Sequence, residues 1–403
     1  MKWAVLLGSP DISGGTYVIF EHVIRAKRRG IIVYMITEHP ISENSLDWHP
    51  EARELNWTTF SQCQDMNFDI AFATWWRTVY ELYRVKAKSY AYFVQSIESK
   101  FYPEQEQALR KLVDATYMLP LKIITEAHWI QEYLKSEYDK ESYLVLNGIR
   151  KDIYYKEGAA HASRESGRLR VLVEGPLGVP FKNVEKTIQL CKQSDADEVW
   201  LLTSSPLTSY PGMDRVFSRV AIHQTPKVYR SCDVIVKLSY VEGMFGPPLE
   251  MFHCGGTSIT YNVTGYDEYI RNEVNGIVIN KDDEEQVICA INSLKNDRSR
   301  LDHLKEGASK TAKEWPDWSH SALEFEKAVA QIIQQNDNCT REILEKKSKF
   351  FFDFYMLAEK QKNMNGNKVS SIAKRFLDHR FPRIYKYLRN IKWKIKVMAC
   401  RAN

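Results

Sequence analysis

Two glutamates eight positions apart, Glu242 and Glu250, bracket the run Gly243-Met244-Phe245-Gly246-Pro247-Pro248-Leu249. Ionised carboxylates only accept hydrogen bonds, which suits them to sugar or ribose hydroxyls. The glycines let backbone N–H groups approach a ligand, and the prolines open a helix whose free amides and dipole favour phosphate. The run therefore reads as a turn that takes an anion and hydroxyls together. An ordinary βα unit with two surface glutamates is the plain alternative.

Other side chains could share that work. Ser13-Gly14-Gly15-Thr16 lies between a strand over residues 3–7 and a helix from Tyr17, where exposed amides suit an anion. A tight turn needing positive φ explains the same glycines. Lys182 follows the strand 170–174 through Gly175-Pro176-Leu-Gly-Val-Pro-Phe181 and offers a positive charge, or is a solvated surface lysine. Trp75, Trp76 and Arg77 could border an acceptor groove, since indole faces stack on sugar rings and guanidinium binds anions; buried aromatic packing reads equally well. The histidines His22, His128 and His253 sit beside apolar residues and read as structural. The seven cysteines have no Cys-x-x-Cys or Cys/His spacing of a zinc site and read as free thiols.

The elements that must position these residues alternate strand and helix. Apolar strand candidates cover 3–7, 30–37, 68–73, 89–94, 122–125 and 142–146, with helices between them. Val18, Ile19, Val23 and Ile24 keep the 3.6-residue period of the first helix. After a small, polar stretch at 158–168, a second series of strands covers 170–174, 198–203, 216–222, 233–238, 257–260 and 276–279. This predicts an α/β protein of two Rossmann-like, doubly wound parallel sheets facing a cleft, with ligands at the carboxyl ends of the strands.

The stretch 239–268 together with Asn275-Gly276 resembles the retaining glycosyltransferases of family 4, which have the GT-B fold and use nucleotide sugars. The resemblance extends over residues 1 to about 335. It implies that Glu250 holds the ribose hydroxyls and that Glu242, with the amides of Gly243, Met244, Phe245 and Gly246, holds the donor sugar. Lys182 and the Gly14 and Gly15 amides would then stabilise the leaving diphosphate. Gln95 stands where many members carry a histidine near the transferred sugar, and Glu98 follows it on the acceptor side. The family's usual Gly-Arg pair reads Gly175-Pro176 here, leaving Arg77, Arg150 and Arg230 as candidates for the second positive charge. Asn147-Gly148-Ile149 resembles the family's Pro-Asn-Gly-Val loop, with Leu146 in place of proline. The Gln95-x-x-Glu98-x-x-Phe101-Tyr102-Pro103 form, Thr116-Tyr-Met-Leu-Pro-Leu-Lys122 and Tyr261-Asn-Val-Thr-Gly-Tyr-Asp-Glu268 resemble the subgroup of rhamnosyltransferases that build bacterial surface polysaccharides. No Asp-x-Asp pair is placed to bridge phosphates, so neither metal nor cofactor is expected beyond the nucleoside-diphosphate sugar.

At 403 residues and 44% hydrophobic the chain suffices for two ordinary domains. The expected organisation is 1–157 on the acceptor side, 158–168 as linker, 169–315 for the nucleotide sugar, 316–339 as a helix returning to the first domain, and 340–403 as a basic tail. That tail carries 17 Lys and Arg against 5 Asp and Glu, while the preceding residues carry 39 against 46. In 369–398, Phe376, Phe381, Tyr385 and Trp393 intersperse with lysines and arginines, the mixture of a helix lying on anionic lipid. Packing on the body or an oligomer contact is the competing reading; nucleic acid is not expected, since no recognition module accompanies the charge. Apolar runs are too short to cross a bilayer or to form a signal-peptide core. The expectation is a cytoplasmic enzyme, peripheral at the inner face of the plasma membrane, acting on a growing glycan or lipid-linked glycan. A non-catalytic glycan-binding or scaffolding subunit is the alternative.

Overall fold

The structure, a computed structural model, describes residues 1–335 and 339–364. The first domain is a seven-stranded parallel sheet made of β1 (Lys2–Leu6), β2 (Ile32–Thr37), β3 (Asn56–Thr59), β4 (Asn67–Ala73), β5 (Lys86–Val94), β6 (Lys122–Thr125) and β7 (Ser142–Leu144). Their order across the sheet is β3-β2-β1-β4-β5-β6-β7. Among its helices are α1 (Gly14–Arg28), α2 (Trp76–Val79), α3 (Gln107–Asp114) and α4 (His128–Tyr138). The apolar period of α1 buries Val18, Ile19, Val23 and Ile24 against the sheet, and Gly30 follows the helix at φ 92°.

The second domain is a six-stranded sheet of order β10-β9-β8-β11-β12-β13. Its strands are β8 (Arg170–Glu174), β9 (Glu198–Thr203), β10 (Arg215–Ser218), β11 (Val234–Lys237), β12 (Thr257–Tyr261) and β13 (Ile277–Ile279). Helices α5 (Val184–Gln193), α6 (Thr225–Ser231), α7 (Gly246–His253), α8 (Glu284–Asn296) and α9 (Arg298–Glu314) cover it. Every strand pair in both sheets is parallel. Strands buried on both faces need continuous apolar runs, and Val171, Leu172, Val234, Ile235 and Val236 supply them.

Two helices then return to the first domain. In α10 (Trp318–Gln334), Phe325 packs among Trp3, Phe72, Phe93 and His22. Burial pushes the His22 imidazole down to about 3, so it is a neutral core side chain. Helix α11 (Arg341–Met364) seats Leu344, Phe351, Phe352 and Tyr355 on the other core of that domain, with Phe352 4.9 Å from the Tyr80 ring. The chain passes between domains along two segments lying side by side, joined by a single bridge at Ile149 and Asp317. Ile149 N donates to Pro316 O and Trp318 N to Ile149 O, and a Cβ on Gly148 would lie 2.4 Å from the Asp317 backbone. The polar stretch 158–168 is tied down: Arg164 donates to the carbonyls of Tyr229, Cys232, Cys254 and Gly255. The segment 369–398 lies outside the described residues.

Candidate functional site

Strand β11 ends at Lys237, and the loop after it carries Glu242 to the start of α7, where prolines occupy the first turn. The Glu242 carboxylate accepts from Lys182 Nζ at 2.7 Å and lies 3.6 Å from Lys237 Nζ. Lys237 in turn donates to Glu174 Oε2 at 2.6 Å. Burial alone would raise the Glu242 carboxyl, but the two ammonium groups outweigh it and hold it below the usual carboxylate range. Burial likewise opposes the charge on Lys237, and Glu174 and Glu242 reverse that, so its ammonium is held above the ordinary value. Four alternating charges thus form a chain, Glu174, Lys237, Glu242 and Lys182, whose two middle members are buried.

Glu250 lies one turn along α7, beside the Tyr229 and Tyr154 side chains, whose hydroxyls favour its carboxylate form against burial. Burial pushes its carboxyl up to about 7, and nearby Glu174 adds to the rise. Near neutrality this group is therefore divided between its acid and its hydrogen-bond-accepting carboxylate form.

From the opposite domain, Ser13 caps α1 by accepting from Thr16 N at 3.1 Å, which leaves Gly14 and Gly15 at the first turn. Gly15 faces the Gln95 carboxamide, whose Oε1 is buried without a hydrogen-bond partner. The Glu242–Gly246 loop reaches this same place: a Cβ on Gly243 would lie 1.8 Å from Gln95 O, so only glycine permits the approach. Glu126, at the end of β6, accepts from the Met244 amide and from Asn147 Nδ2 at 2.9 Å. Burial pushes the Glu126 carboxyl up to about 8. Trp129 Nε1 donates to Gly243 O at 2.6 Å, and Glu268 accepts from Trp129 N and pairs with His128 Nδ1 at 2.8 Å. Phe101 stacks on Phe181 at 4.4 Å. The two domains therefore meet where Gly243 lies against Gln95 and Trp129, Glu268 against His128, and Phe181 against Phe101.

The remaining expected residues have other partners, in the first domain for all but Arg230, which lies on α6 of the second. Trp76 is buried; its backbone N–H donates to Glu98 Oε2 at 2.7 Å and its indole to Tyr102. Glu98 also accepts from Tyr92, and burial pushes it up to about 7. Arg77 lies over the rings of Trp75 and Trp76. Arg150 pairs with Glu21, Glu51 and Asp152, and Arg230 donates to the carbonyls of Ile153, Tyr155 and Ala159. Among the described residues, Glu21, His49 and Glu51 are close enough to ligate one cation, but Arg150 already pairs with both carboxylates.

Sequence reasoning passed over Lys237, Glu174, Glu126, Trp129, Tyr154 and Tyr229. Only Lys237 carried a signal: a lysine at the end of an apolar, doubly buried strand must be paired.

Residues 214–311 match the family model described as glycosyl transferases group 1. Among solved structures, the chain is similar to Alr3699/HepE from Anabaena in complex with UDP and glucose, at 13% identity and TM-score 0.64, over 82% of this chain and 100% of that one. It is similar to a sucrose-phosphate synthase from Thermosynechococcus elongatus at 16% identity and TM-score 0.66, over 82% and 98%. It is also similar to WaaG, a glycosyltransferase involved in lipopolysaccharide biosynthesis, at 13% identity and TM-score 0.62, over 83% and 100%. A search of curated proteins finds no significant match. At such identities the likeness establishes the fold, which is GT-B, with two Rossmann-like domains and a helical C-terminal region. The local match and the fold together support the glycosyl transferases group 1 family.

Proposed function

We propose that the chain is a metal-independent, retaining glycosyltransferase that moves a sugar from a nucleoside diphosphate to a growing, lipid-linked bacterial surface glycan. The observation that carries the transfer is the convergence of Glu242, Lys182 and the α7 amides with Gly15 and Gln95 of the facing domain. Lys182 and the amides at the starts of α1 and α7 meet the charge that develops on the leaving diphosphate. Glu242 and Gln95 hold the donor sugar, and Glu250 the ribose hydroxyls. The UDP and glucose held by one protein of similar fold make UDP-sugars one donor class to test. Retention of configuration and rhamnose as the donor sugar rest on the family resemblance of the motifs, Gln95 and Glu98 included. Trp75, Trp76 and Arg77 stand as the acceptor-side candidates on the same ground.

Incubating the protein with dTDP-rhamnose, UDP-sugars and GDP-sugars and measuring nucleoside diphosphate release tests the reading. Pro176, in place of the family's arginine, favours a second one: a scaffold that keeps the fold without turnover. Silence with every donor and a lipid-linked acceptor decides for the scaffold.

Glu250→Ala removes a charge-assisted contact worth about 1.5–3 kcal/mol, so nucleotide affinity falls at least about tenfold while the fold survives. Ribose hydroxyls need the carboxylate form. Wild-type affinity is therefore close to full about one pH unit above 7, half-maximal near 7, and declines by about tenfold per unit below it, and the alanine variant loses that limb. Calorimetric titration of nucleoside diphosphate at several pH values checks both statements; an unchanged dissociation constant removes Glu250 from the site.

No described helix is long and apolar enough to cross a membrane. Contact with an anionic lipid surface is proposed through 340–403, on the composition of that segment and on the exposed apolar face of α11.

A further inference from the structure

Lys237 is only 3% exposed, whereas its counterpart Lys182 is 23% exposed, and the two ammonium groups lie on different oxygens of one carboxylate. We propose that Lys237 is a positioning residue of the donor site: held by Glu174, it keeps Glu242 charged when Lys182 leaves that carboxylate for the diphosphate of a nucleotide sugar. The inference rests on the glycosyltransferase reading of the site.

In the closed structure Lys182 is spent on Glu242 at 2.7 Å. A diphosphate is the stronger anion, and the exposed lysine is the one able to turn toward it. Glu242 then keeps a single cation. A buried carboxylate with none takes up a proton rather than stay charged, and a carboxylic acid can no longer accept from the donor hydroxyls with both oxygens. Lys237 prevents this from beneath, and its 2.6 Å bond to Glu174 fixes it on strand β11 where a flexible side chain would otherwise swing out. Arg150 and Arg230 are committed to other partners, and Arg77 lies over the two tryptophans. Lys182 from the 180–182 turn, Lys237 from β11 and Ser239 after it act on Glu242 directly, Glu126 from the end of β6 is coupled to it, and Glu174 from β8 reaches it through Lys237.

The test compares full-length wild type with Lys237→Arg, Lys237→Met and the double variant Glu174→Gln/Lys237→Met, which removes the buried ammonium together with its half-buried partner and so guards against misfolding of the single change. Calorimetric affinity for nucleoside diphosphate and the pH profile of kcat are measured for each. Truncating one member of a buried charge pair predicts that Lys237→Met lowers kcat at pH 7 by at least about thirtyfold. In both methionine variants kcat rises with pH, by about tenfold per unit below the raised Glu242 value, because only the ionised form works. Lys237→Arg restores most of the rate and the wild-type profile. Methionine variants that bind nucleotide, turn over within about threefold of wild type and show its pH profile overturn the proposal. So does a loss of rate with an unchanged profile, which is what a merely structural lysine would give. Wild type that binds no nucleoside diphosphate is a different result and overturns the glycosyltransferase reading beneath it.

Discussion

Lys182→Ala lowers kcat by about two to three orders of magnitude while nucleotide affinity falls less than tenfold. The asymmetry comes from where charge develops. On the proposed reading the ground-state diphosphate is already met by the α7 amides and the start of α1, so one lysine adds little to binding. As the sugar–phosphate bond breaks, negative charge builds on the leaving oxygens, and a preorganised ammonium contributes most there. The side chain is partly exposed and Glu242 keeps Lys237, so the substitution leaves the fold and the loop in place. Initial rates of nucleoside diphosphate release against a calorimetric dissociation constant separate the two effects. Equal losses in both would mean that Lys182 binds without serving the transition state.

Removing residues 365–403 is expected to weaken partition onto anionic vesicles about a thousandfold, since engaging only four of the eleven Lys and Arg in that stretch at about 1 kcal/mol each has that effect. The cut belongs after Met364. Cutting before Arg341 would also strip α11 from the core beneath it, where Leu344 is fully buried. On its outer side α11 presents Phe350, Phe354 and Leu357, 64%, 59% and 61% exposed and spaced four and three residues apart, with Lys346 and Lys347 one turn before Phe350 and Lys349 next to it. That pattern of apolar side chains flanked by lysines is suited to the headgroup boundary of an anionic bilayer. Phe350→Ser/Phe354→Ser/Leu357→Ser should therefore weaken vesicle binding further without touching the core. Binding also weakens with salt, as the Debye length falls from about 10 Å at 0.1 M to about 3 Å at 1 M. Co-sedimentation decides it: full-length and shortened proteins that pellet equally at low salt rule out the anchor.

The fold was legible wherever burial on both faces of a parallel sheet demands a continuous apolar run, which is why β1, β4, β8 and β11 stand out in the sequence. Strand β3 escaped notice because an edge strand of four residues, Asn-Trp-Thr-Thr, has one neighbour and needs no such run. Strand β10 was expected to continue to Ile222, but Arg219 turns the chain at φ 52°. The loop before α7 was readable from its Gly and Pro punctuation. Glu126 and Trp129 were not, because their meaning comes from Gly243 and Met244, more than a hundred residues away and in the other domain. The polar composition of 158–168 reads as a loose tether, and a single arginine, Arg164, overrides it by satisfying four carbonyls.

The return of α10 to the first domain has a bearing on how the polypeptide is made. Phe325 closes the layer formed by Trp3, Phe72 and Phe93, yet it lies 232 positions after Phe93, the last of the three. On a ribosome the whole second domain emerges, and is free to fold, before that lid exists. The first domain to be translated is thus the last to be finished. Until then its aromatic layer is exposed, and at translation rates of about 5–20 residues per second the exposure lasts on the order of ten seconds or more. Chains interrupted anywhere between the two crossings carry that open layer permanently, so they are substrates for aggregation and degradation even when the second domain is intact.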